Sequence, residues 1–192
     1  MKSIDIKSIA KNVIKIESDA ISLLEDRIDD IFESAVKTLL KCKGRLIISG
    51  MGKSGIISQK IASTMSSTGT PAYFVHPSEA IHGDLGMITS QDIIILISNS
   101  GETSELIQIL PALQKKKVTI IGLIGRVRST LSDEADIFLD TSVEKEACTL
   151  DLAPTASTTA TLAMGDALAI SLLELRGFNK ENFAELHPGG IL

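Results

Sequence analysis

From residue 45 onward, short apolar runs alternate with longer helical patterns, and this alternation limits the possible folds more than any other feature of the sequence. The runs are four to seven residues long and rich in Ile and Val. Such runs are typical of strands that are buried on both faces of a parallel sheet. We therefore predict five strands, at residues 45–49, 72–75, 92–98, 118–123 and 136–139.

Helical patterns fill the gaps between these runs, at residues 56–67, 103–116 and 129–135, and a long helix is predicted at 157–176. Five strand–helix units with right-handed crossovers give a three-layer α/β/α sandwich around a five-stranded parallel sheet, a flavodoxin-like α/β fold. Ligands of such folds bind beyond the carboxyl ends of the strands, where the strand order reverses. The loops after strands one, three and five are therefore the first places to look for a site.

The first 43 residues carry apolar side chains at three- and four-residue spacing, with charged residues between them. This spacing predicts amphipathic helices with one buried face. We expect residues 1–43 to form a helical segment that packs on the domain formed by residues 44–192.

Composition and charge exclude several classes of protein. The net charge of −5 argues against binding to nucleic acid or to anionic membranes. No uncharged apolar run approaches the ~20 residues that span a bilayer, and the first residues lack an apolar signal core. Cys42 and Cys148 lie far apart, which indicates free thiols. These features predict a cytoplasmic domain.

The loop after the first strand reads Gly50-Met-Gly-Lys-Ser-Gly55 and opens a helix. It matches a dinucleotide fingerprint, but the acid expected about 20 residues later is missing, and a nucleotide P-loop would need glycine where Ile47 stands. A generic anion site at a helix N-terminus is left, or glycines that only turn the chain. Lys53 favours a site, because a lysine in the first turn opposes the helix dipole.

The loop after the third strand reads Ser98-Asn-Ser-Gly-Glu-Thr-Ser-Glu105. Its hydroxyls and its glycine could donate hydrogen bonds to the oxygens of a phosphate. An ordinary helix cap is the alternative, but a cap uses one hydroxyl and this loop carries four.

The two loops together resemble those of the sugar isomerase (SIS) domain family of phosphosugar enzymes and regulators. In that family the S-x-S-G-x-T loop holds the sugar phosphate, which implies that role for Ser98, Ser100 and Thr103. The resemblance covers essentially the whole chain, because four further segments match: His76-Pro-Ser-Glu-Ala-Ile-His82-Gly-Asp-Leu-Gly, Glu144-Lys-Glu146-Ala-Cys, Leu152-Ala-Pro-Thr-Ala-Ser-Thr-Thr-Ala160 and Glu185-Leu-His187-Pro-Gly-Gly.

These segments are similar to those of the family's aldose–ketose isomerases that interconvert D-ribulose 5-phosphate and D-arabinose 5-phosphate through an enediol. The resemblance implies supply of Kdo for lipopolysaccharide synthesis, no cofactor, and a homotetramer with sites shared between subunits. Many members continue into paired CBS domains after the Pro-Gly-Gly hinge, and none is expected here. The alternatives are an isomerase for another phosphosugar and a non-catalytic phosphosugar-binding regulator.

Four residues match the family's catalytic positions: Lys53, Glu105, Glu146 and His187. The resemblance implies that Lys53 stabilises the enediolate or contacts the phosphate. It also implies that Glu105 holds Lys53 as an ion pair, with proton transfer by Glu105 as the weaker alternative. Glu146 is the expected base, although Glu144 is equally acidic. His187 could open the sugar ring or shuttle protons, and it would have to reach a neighbouring subunit.

A second group matches positions that the family uses around the substrate. The resemblance implies an inhibitory zinc ion at His76, whereas a histidine of this kind is more often structural. Gly69 reads equally well as a helix C-cap. The implied substrate-binding residues, besides the phosphate loop, are Ser54, Gly69, Thr70, His82 and Ser142.

The last long helix starts with five hydroxyl side chains within Thr155–Thr161. Small capping residues that allow close packing would explain them, and so would a helix N-terminus that faces the substrate. The sequence leaves both explanations open.

Overall fold

The computed structural model describes residues 5–189 and contains one sheet of five parallel strands in the order β2-β1-β3-β4-β5. Each strand was expected within two residues of where it lies. The bounds are β1 Leu46–Gly50, β2 Ala72–Phe74, β3 Ile93–Ser98, β4 Thr119–Ile124 and β5 Ile137–Asp140.

Eight α-helices surround the sheet in the described part of the chain. Two short 3-10 helices, Glu25–Arg27 and Asp84–Met87, add to them. The α-helices are α1 Ile6–Ser22, α2 Asp30–Leu40, α3 Gly52–Ser67, α4 Pro77–Ile81, α5 Ser104–Lys116, α6 Thr130–Glu134, α7 Ala156–Leu175 and α8 Lys180–Leu186.

The sheet separates two apolar layers. Leu46 and Ile48 of β1 face a core built with α2, α3 and α7. Ile47, which points the opposite way because side chains alternate along a strand, packs in a core that includes residues of α5. The predicted three-layer α/β/α sandwich with N-terminal helices is therefore confirmed, and the strand order reverses between β1 and β3, where ligand sites of such folds lie.

Helix α7 is long and apolar enough by length and composition to cross a membrane, but it is a core helix here. Nine of its residues are buried, and it packs against α1, α2 and α3. Asp166, the one acid in its middle, pairs with Lys60 of α3 with its Oδ2 atom 2.7 Å from the lysine nitrogen. The packing places the first turn of α7 at the carboxyl edge of the sheet.

The N-terminal helices are tied to this body by polar contacts as well. Arg27 donates to the carbonyl oxygen of Ser142 over 2.7 Å and pairs with the carboxylate of Asp140. Thr159 of α7 donates to the carboxylate of Glu17 over 2.9 Å. Residues 5–43 thus hold both the start of the loop after β5 and the side of α7.

Three elements differ from expectation. Helix α3 begins at Gly52, four residues earlier than predicted, because Gly52 has a φ of 58° and turns the strand directly into the helix. Helices α4 and α8 were not predicted, since each is too short to show a clear apolar period. The Pro-Gly-Gly hinge lies partly outside the described residues, because Gly190 is not among them.

Candidate functional site

A cavity of about 170 Å³ lies at the carboxyl edge of the sheet, at the reversal of strand order. It is bounded by the loop after β1, the end of β3 with its loop, and the first turns of α7. Its lining residues are Met51, Lys53, Ser54, Ile57, Ile97, Asn99, Pro154, Ser157, Thr158 and Thr161.

The loop after β1 supplies Lys53 and Ser54 to this cavity. Both lie in the first turn of α3, which starts at once after the glycine turn. The Lys53 side chain is exposed and forms no ion pair with any residue between 5 and 189. The expected ion pair between Lys53 and Glu105 is therefore wrong for this state of the protein, and the Lys53 charge is available to a ligand.

The loop after β3 is held in shape by its own hydroxyl groups. The Ser98 and Thr103 hydroxyls lie 2.8 Å apart, and Ser98 also accepts from the Gly101 amide over 3.0 Å. Ser100 accepts from the Glu102 amide over 3.1 Å. Gly101 has a φ of 66°, which favours glycine. The loop is thus preformed, and its hydroxyls keep further hydrogen-bonding capacity for a ligand.

Glu102 fixes this loop to α6, a role that the sequence did not indicate. Its carboxylate accepts from both the amide and the hydroxyl of Thr130, each over 2.8 Å. These two bonds, the amide bond first, lower the pKa of the Glu102 carboxyl. Glu102 therefore supports the turn and does not point toward the cavity lining.

Glu105 lies in the first turn of α5, outside the cavity lining. Its carboxylate accepts from the Ser104 hydroxyl over 2.8 Å, which lowers the pKa of the Glu105 carboxyl, and nearby His76 contributes in the same direction. His76 caps α4 by accepting from the Ser78 amide over 3.3 Å through Nδ1. The structure thus brings Glu105 and His76 near one another at the carboxyl edge.

A zinc ion at His76 would need further ligands. Zinc sites in proteins take three or four nitrogen, sulfur or oxygen ligands from side chains. Residues 5–189 contain no cluster of three or more His, Cys, Asp and Glu side chains that could hold a metal. His76 offers Nε2, since Nδ1 is used by the cap, and Glu105 is the neighbouring carboxylate. The described residues do not supply a full ligand set, so zinc binding at His76 stays a prediction.

Glu146 caps α7 from the loop after β5. Its Oε2 atom accepts from the Thr155 amide over 2.7 Å, the Thr155 hydroxyl over 3.0 Å and the Ser157 amide over 3.2 Å. Burial raises the pKa of the Glu146 carboxyl, but the hydrogen bonds from Ser157 and Thr155 outweigh burial and lower it. The carboxylate is consequently ionised at neutral pH, beside the cavity.

Glu144, two residues earlier, points to a different place. It lines a separate pocket with residues of α1, among them Asn12 and Lys15. The backbone around Glu146 is fixed by Asp151, which accepts from the Glu146 amide over 2.8 Å, and by Thr155, which accepts from the Ala147 amide over 2.8 Å. Of the two acids that the sequence left equal, Glu146 is the one hydrogen-bonded to Ser157 of the cavity lining, although Glu146 does not itself line the cavity.

The hydroxyls at the start of α7 differ in their hydrogen-bond partners. Thr155 binds Glu146, Thr158 donates to the Thr155 carbonyl, Thr159 donates to Glu17, and Thr161 donates to the Ser157 carbonyl. The fifth, Ser157, is 2% exposed, and its Oγ atom has no hydrogen-bond partner among the described residues. Four of the hydroxyls thus have partners within the chain, and the proposal that the start of α7 faces the substrate stays a prediction.

Gly69 and Thr70 lie away from the cavity in this protomer. They follow the C-terminus of α3, whose 16 residues extend about 24 Å from the cavity to the amino edge of the sheet. Gly69 has a φ of 88° and contacts the Phe178 ring, while Thr70 is buried and accepts from Arg176 over 3.2 Å. Their geometry is that of a helix C-cap and a structural contact.

Three other residues from the sequence prediction also lie outside the cavity lining. Ser142 stays beside β5, where its amide donates to Asp140 and its carbonyl accepts from Arg27. His82 is exposed at the end of α4. His187 ends α8, stacked on Phe183 with ring centroids 3.8 Å apart and with Nδ1 2.8 Å from the Phe183 carbonyl oxygen.

Curated relatives match almost the full length of the chain. The Arabinose 5-phosphate isomerase KdsD of Yersinia pestis is 51% identical over 189 residues, which are 98% of this chain and 58% of that protein. The protein of the same name from Pseudomonas aeruginosa is 51% identical over 191 residues, covering 100% of this chain and 59% of that protein. The chain therefore spans less than two thirds of the length of these relatives.

The fold is shared with solved structures. The structure of E. coli CFT073 c3406 in complex with arabinose 5-phosphate is 41% identical, has a TM-score of 0.93, and is matched over 98% of this chain and 100% of that chain. The sequence profile described as SIS domain matches residues 39–171, from the end of α2 to the last turns of α7. The profile match, the relatives and the sheet with its two loops lead to one conclusion: the chain belongs to the SIS domain family.

Proposed function

We propose that the chain is an aldose–ketose isomerase that interconverts D-arabinose 5-phosphate and D-ribulose 5-phosphate. The observation that carries the proposal is the Glu146 carboxylate, held ionised beside a small cavity that is lined by Lys53, which forms no ion pair within residues 5–189. Two relatives that are 51% identical in sequence bear the name Arabinose 5-phosphate isomerase. The structure of a third relative was solved in complex with arabinose 5-phosphate.

The preformed loop at Ser98, Ser100 and Thr103 is the proposed phosphate site. Its hydroxyls lie at the N-terminus of α5, where amides and the helix dipole favour an anion. Ser54 adds a hydroxyl from the facing helix. Fixing the phosphate end of the sugar presents the carbonyl end to the groups in the cavity, which turns a chance encounter into an oriented one.

Proton transfer then needs one base and stabilisation of one charge. Glu146 removes the proton from C2 of the open-chain aldose, the electron pair forms a C1–C2 double bond, and the charge moves to the C1 oxygen. Lys53 stabilises this enediolate. Return of the proton to C1, with transfer of the C2 hydroxyl proton to the C1 oxygen, gives the ketose. Atoms and electrons balance within the substrate, so the step uses no co-reactant.

Ring opening is assigned to His187 of a neighbouring subunit in a proposed homotetramer. Helix α8 has no buried residue, and the His187 ring uses Nδ1 toward its own helix, which leaves Nε2 for a ligand. Glu105, near His76 at the same edge, is proposed to orient the substrate. We further propose that the reaction takes place in the cytoplasm and supplies Kdo synthesis.

The decisive assay is conversion of D-arabinose 5-phosphate by the purified chain in the presence of EDTA. Wild-type turnover is expected, and Glu146→Gln should lower kcat by at least about a hundredfold, since a positioned base contributes that much or more. The glutamine keeps an oxygen that can accept from Thr155 and Ser157, so the fold should be retained.

Glu144→Gln is the matched control, because it removes an equal charge two residues away from a side chain that faces α1. It should leave kcat unchanged. Binding of the sugar phosphate without any wild-type turnover would contradict the isomerase and favour a regulator. Turnover of a different phosphosugar only would redirect the substrate assignment.

A further inference from the structure

The Ser157 hydroxyl is a buried polar group that neither the fold nor the proposed mechanism uses. The residue is 2% exposed, and its Oγ atom meets no hydrogen-bond partner among residues 5–189. A buried hydroxyl without a partner costs about 1–3 kcal/mol of folding free energy. Most buried polar groups in folded proteins have a partner, so a buried hydroxyl without one in a cavity calls for an explanation.

The position of Ser157 limits which ligand could bind its hydroxyl. The residue lines the cavity that also contains Lys53, Ser54 and Asn99, in the first turn of the 20-residue helix α7. Its amide donates to Glu146, so its side chain lies directly beside the proposed base. Glu146 is not itself among the lining residues, and Ser157 is the lining residue that is hydrogen-bonded to it.

The Glu146 carboxylate is a poor partner for this hydroxyl in its present arrangement. The Ser157 hydroxyl lies close enough to the Glu146 carboxylate to help lower the Glu146 pKa, but it makes no hydrogen bond of good geometry with it. The Oε2 atom already accepts from three other donors. A better-aligned oxygen that enters the cavity can therefore take the hydroxyl proton.

We propose that the Ser157 hydroxyl donates a hydrogen bond to the substrate oxygen that gains negative charge when Glu146 takes the proton. This inference rests on the isomerase function proposed above. Ser157 would then be a catalytic residue that acts with Lys53: the lysine supplies a full charge and the serine a fixed dipole, in a cavity that the folded chain has already shaped.

The test is steady-state kinetics of Ser157→Ala with D-arabinose 5-phosphate, with and without deuterium at C2. Loss of one donor to a developing oxyanion lowers kcat by about a hundredfold. KM should change little, because the phosphate loop is intact. The deuterium effect on kcat should be fully expressed, since proton abstraction becomes the slow step. The melting temperature should not fall, because the change removes an unsatisfied group and puts a better helix former in α7.

Ser49→Ala is the matched control. Ser49 of β1 is also fully buried and its hydroxyl also lacks a partner among the described residues, but it lies on the Ile47 side of the sheet and outside the cavity lining. It should keep wild-type kinetics, although it too removes a buried hydroxyl without a partner.

Three outcomes would overturn the proposal. Unchanged kcat in Ser157→Ala, with an active wild type, removes Ser157 from the mechanism and leaves the isomerase intact. A shifted acidic limb of the pH–rate profile would show that the serine acts only through Glu146. An inactive wild type would remove the isomerase function and this inference together.

Discussion

The two edges of the sheet differ in whether certain polar side chains have hydrogen-bond or ion-pair partners within the described residues. At the amino edge, polar groups are paired within the chain: Asp92 accepts from the amides of Arg45 and Thr89, and Thr70 accepts from Arg176. At the carboxyl edge, the Lys53 ammonium has no ion-pair partner and the Ser157 hydroxyl has no hydrogen-bond partner within residues 5–189.

This difference separates stability from function. Paired groups at the amino edge have their hydrogen-bonding needs met, so changing them should lower the free energy of unfolding without touching the reaction. Unpaired groups at the carboxyl edge add little to folding, or oppose it, so changing them should lower turnover and leave stability alone.

The largest effect is expected from Lys53→Met. Removing the cation that faces the enediolate should lower kcat/KM by at least about a hundredfold. The melting temperature should stay equal or rise, because the lysine has no carboxylate partner and opposes the dipole of α3. Steady-state kinetics and thermal unfolding of the same preparation check both parts.

Lys60→Met is the control for Lys53→Met. Lys60 lies about two turns after Lys53 in α3. It pairs with Asp166, and both side chains are roughly half exposed. Loss of this pair should cost under about 1 kcal/mol of stability and leave kcat/KM unchanged. Equal kinetic losses in the two variants would mean that any lysine on α3 matters, and the contrast between the edges would fail.

Asp92→Asn should show the opposite pattern, with stability lowered by about 2 kcal/mol and turnover unchanged. Asp92 is 3% exposed, and its two oxygens accept from two different amides, each over 2.7 Å. An asparagine has one oxygen, so its NH₂ group would meet one of these amides donor to donor. Asp136→Asn is the control, because Asp136 serves a single amide, that of Ile120, and an asparagine oxygen can replace it.

The pH dependence of stability tests the same carboxylate. Burial raises the pKa of Asp92, but the hydrogen bonds from Arg45 and Thr89 outweigh it and lower it below the ordinary 3.8. A lowered pKa in the folded state stabilises the protein above the unfolded pKa, and this stability is lost as the pH falls through the folded value. Urea unfolding should therefore lose part of its acid dependence in Asp92→Asn. An unchanged acid limb would contradict this account.

The sequence predicts the strands and the two loops well because their signals are local. Five Ile- and Val-rich runs are enough to place the sheet, and right-handed crossovers then bring the loops after β1 and β3 together at one edge. Lys53 and Ser98 could be named in advance because each lies within a few residues of the glycine that turns the chain.

The choice between similar side chains could not be predicted, because distant contacts make it. Glu144 and Glu146 are equal in sequence, and only the packing of α1 against one and α7 against the other separates them. Ser157 stands among four similar hydroxyls, one of which is bound by Glu17, 142 residues away. A sequence pattern does not show which hydroxyl is left without a partner.

The smallest effect, from Gly69→Ala, tests a residue that the family resemblance assigns to substrate contact and the structure places at the amino edge. Gly69 has a φ of 88°, and a Cβ atom there would lie 2.5 Å from the Phe178 ring. The variant should lose about 1–2 kcal/mol of stability. Gly177→Ala, with a φ of 65° but open space around it, isolates the backbone part of that loss. KM should be unchanged in both, because neither glycine lies at the cavity. A raised KM in Gly69→Ala alone would mean that a second subunit brings substrate to this edge, and the division between a stabilising and a functional edge would then hold only within one protomer.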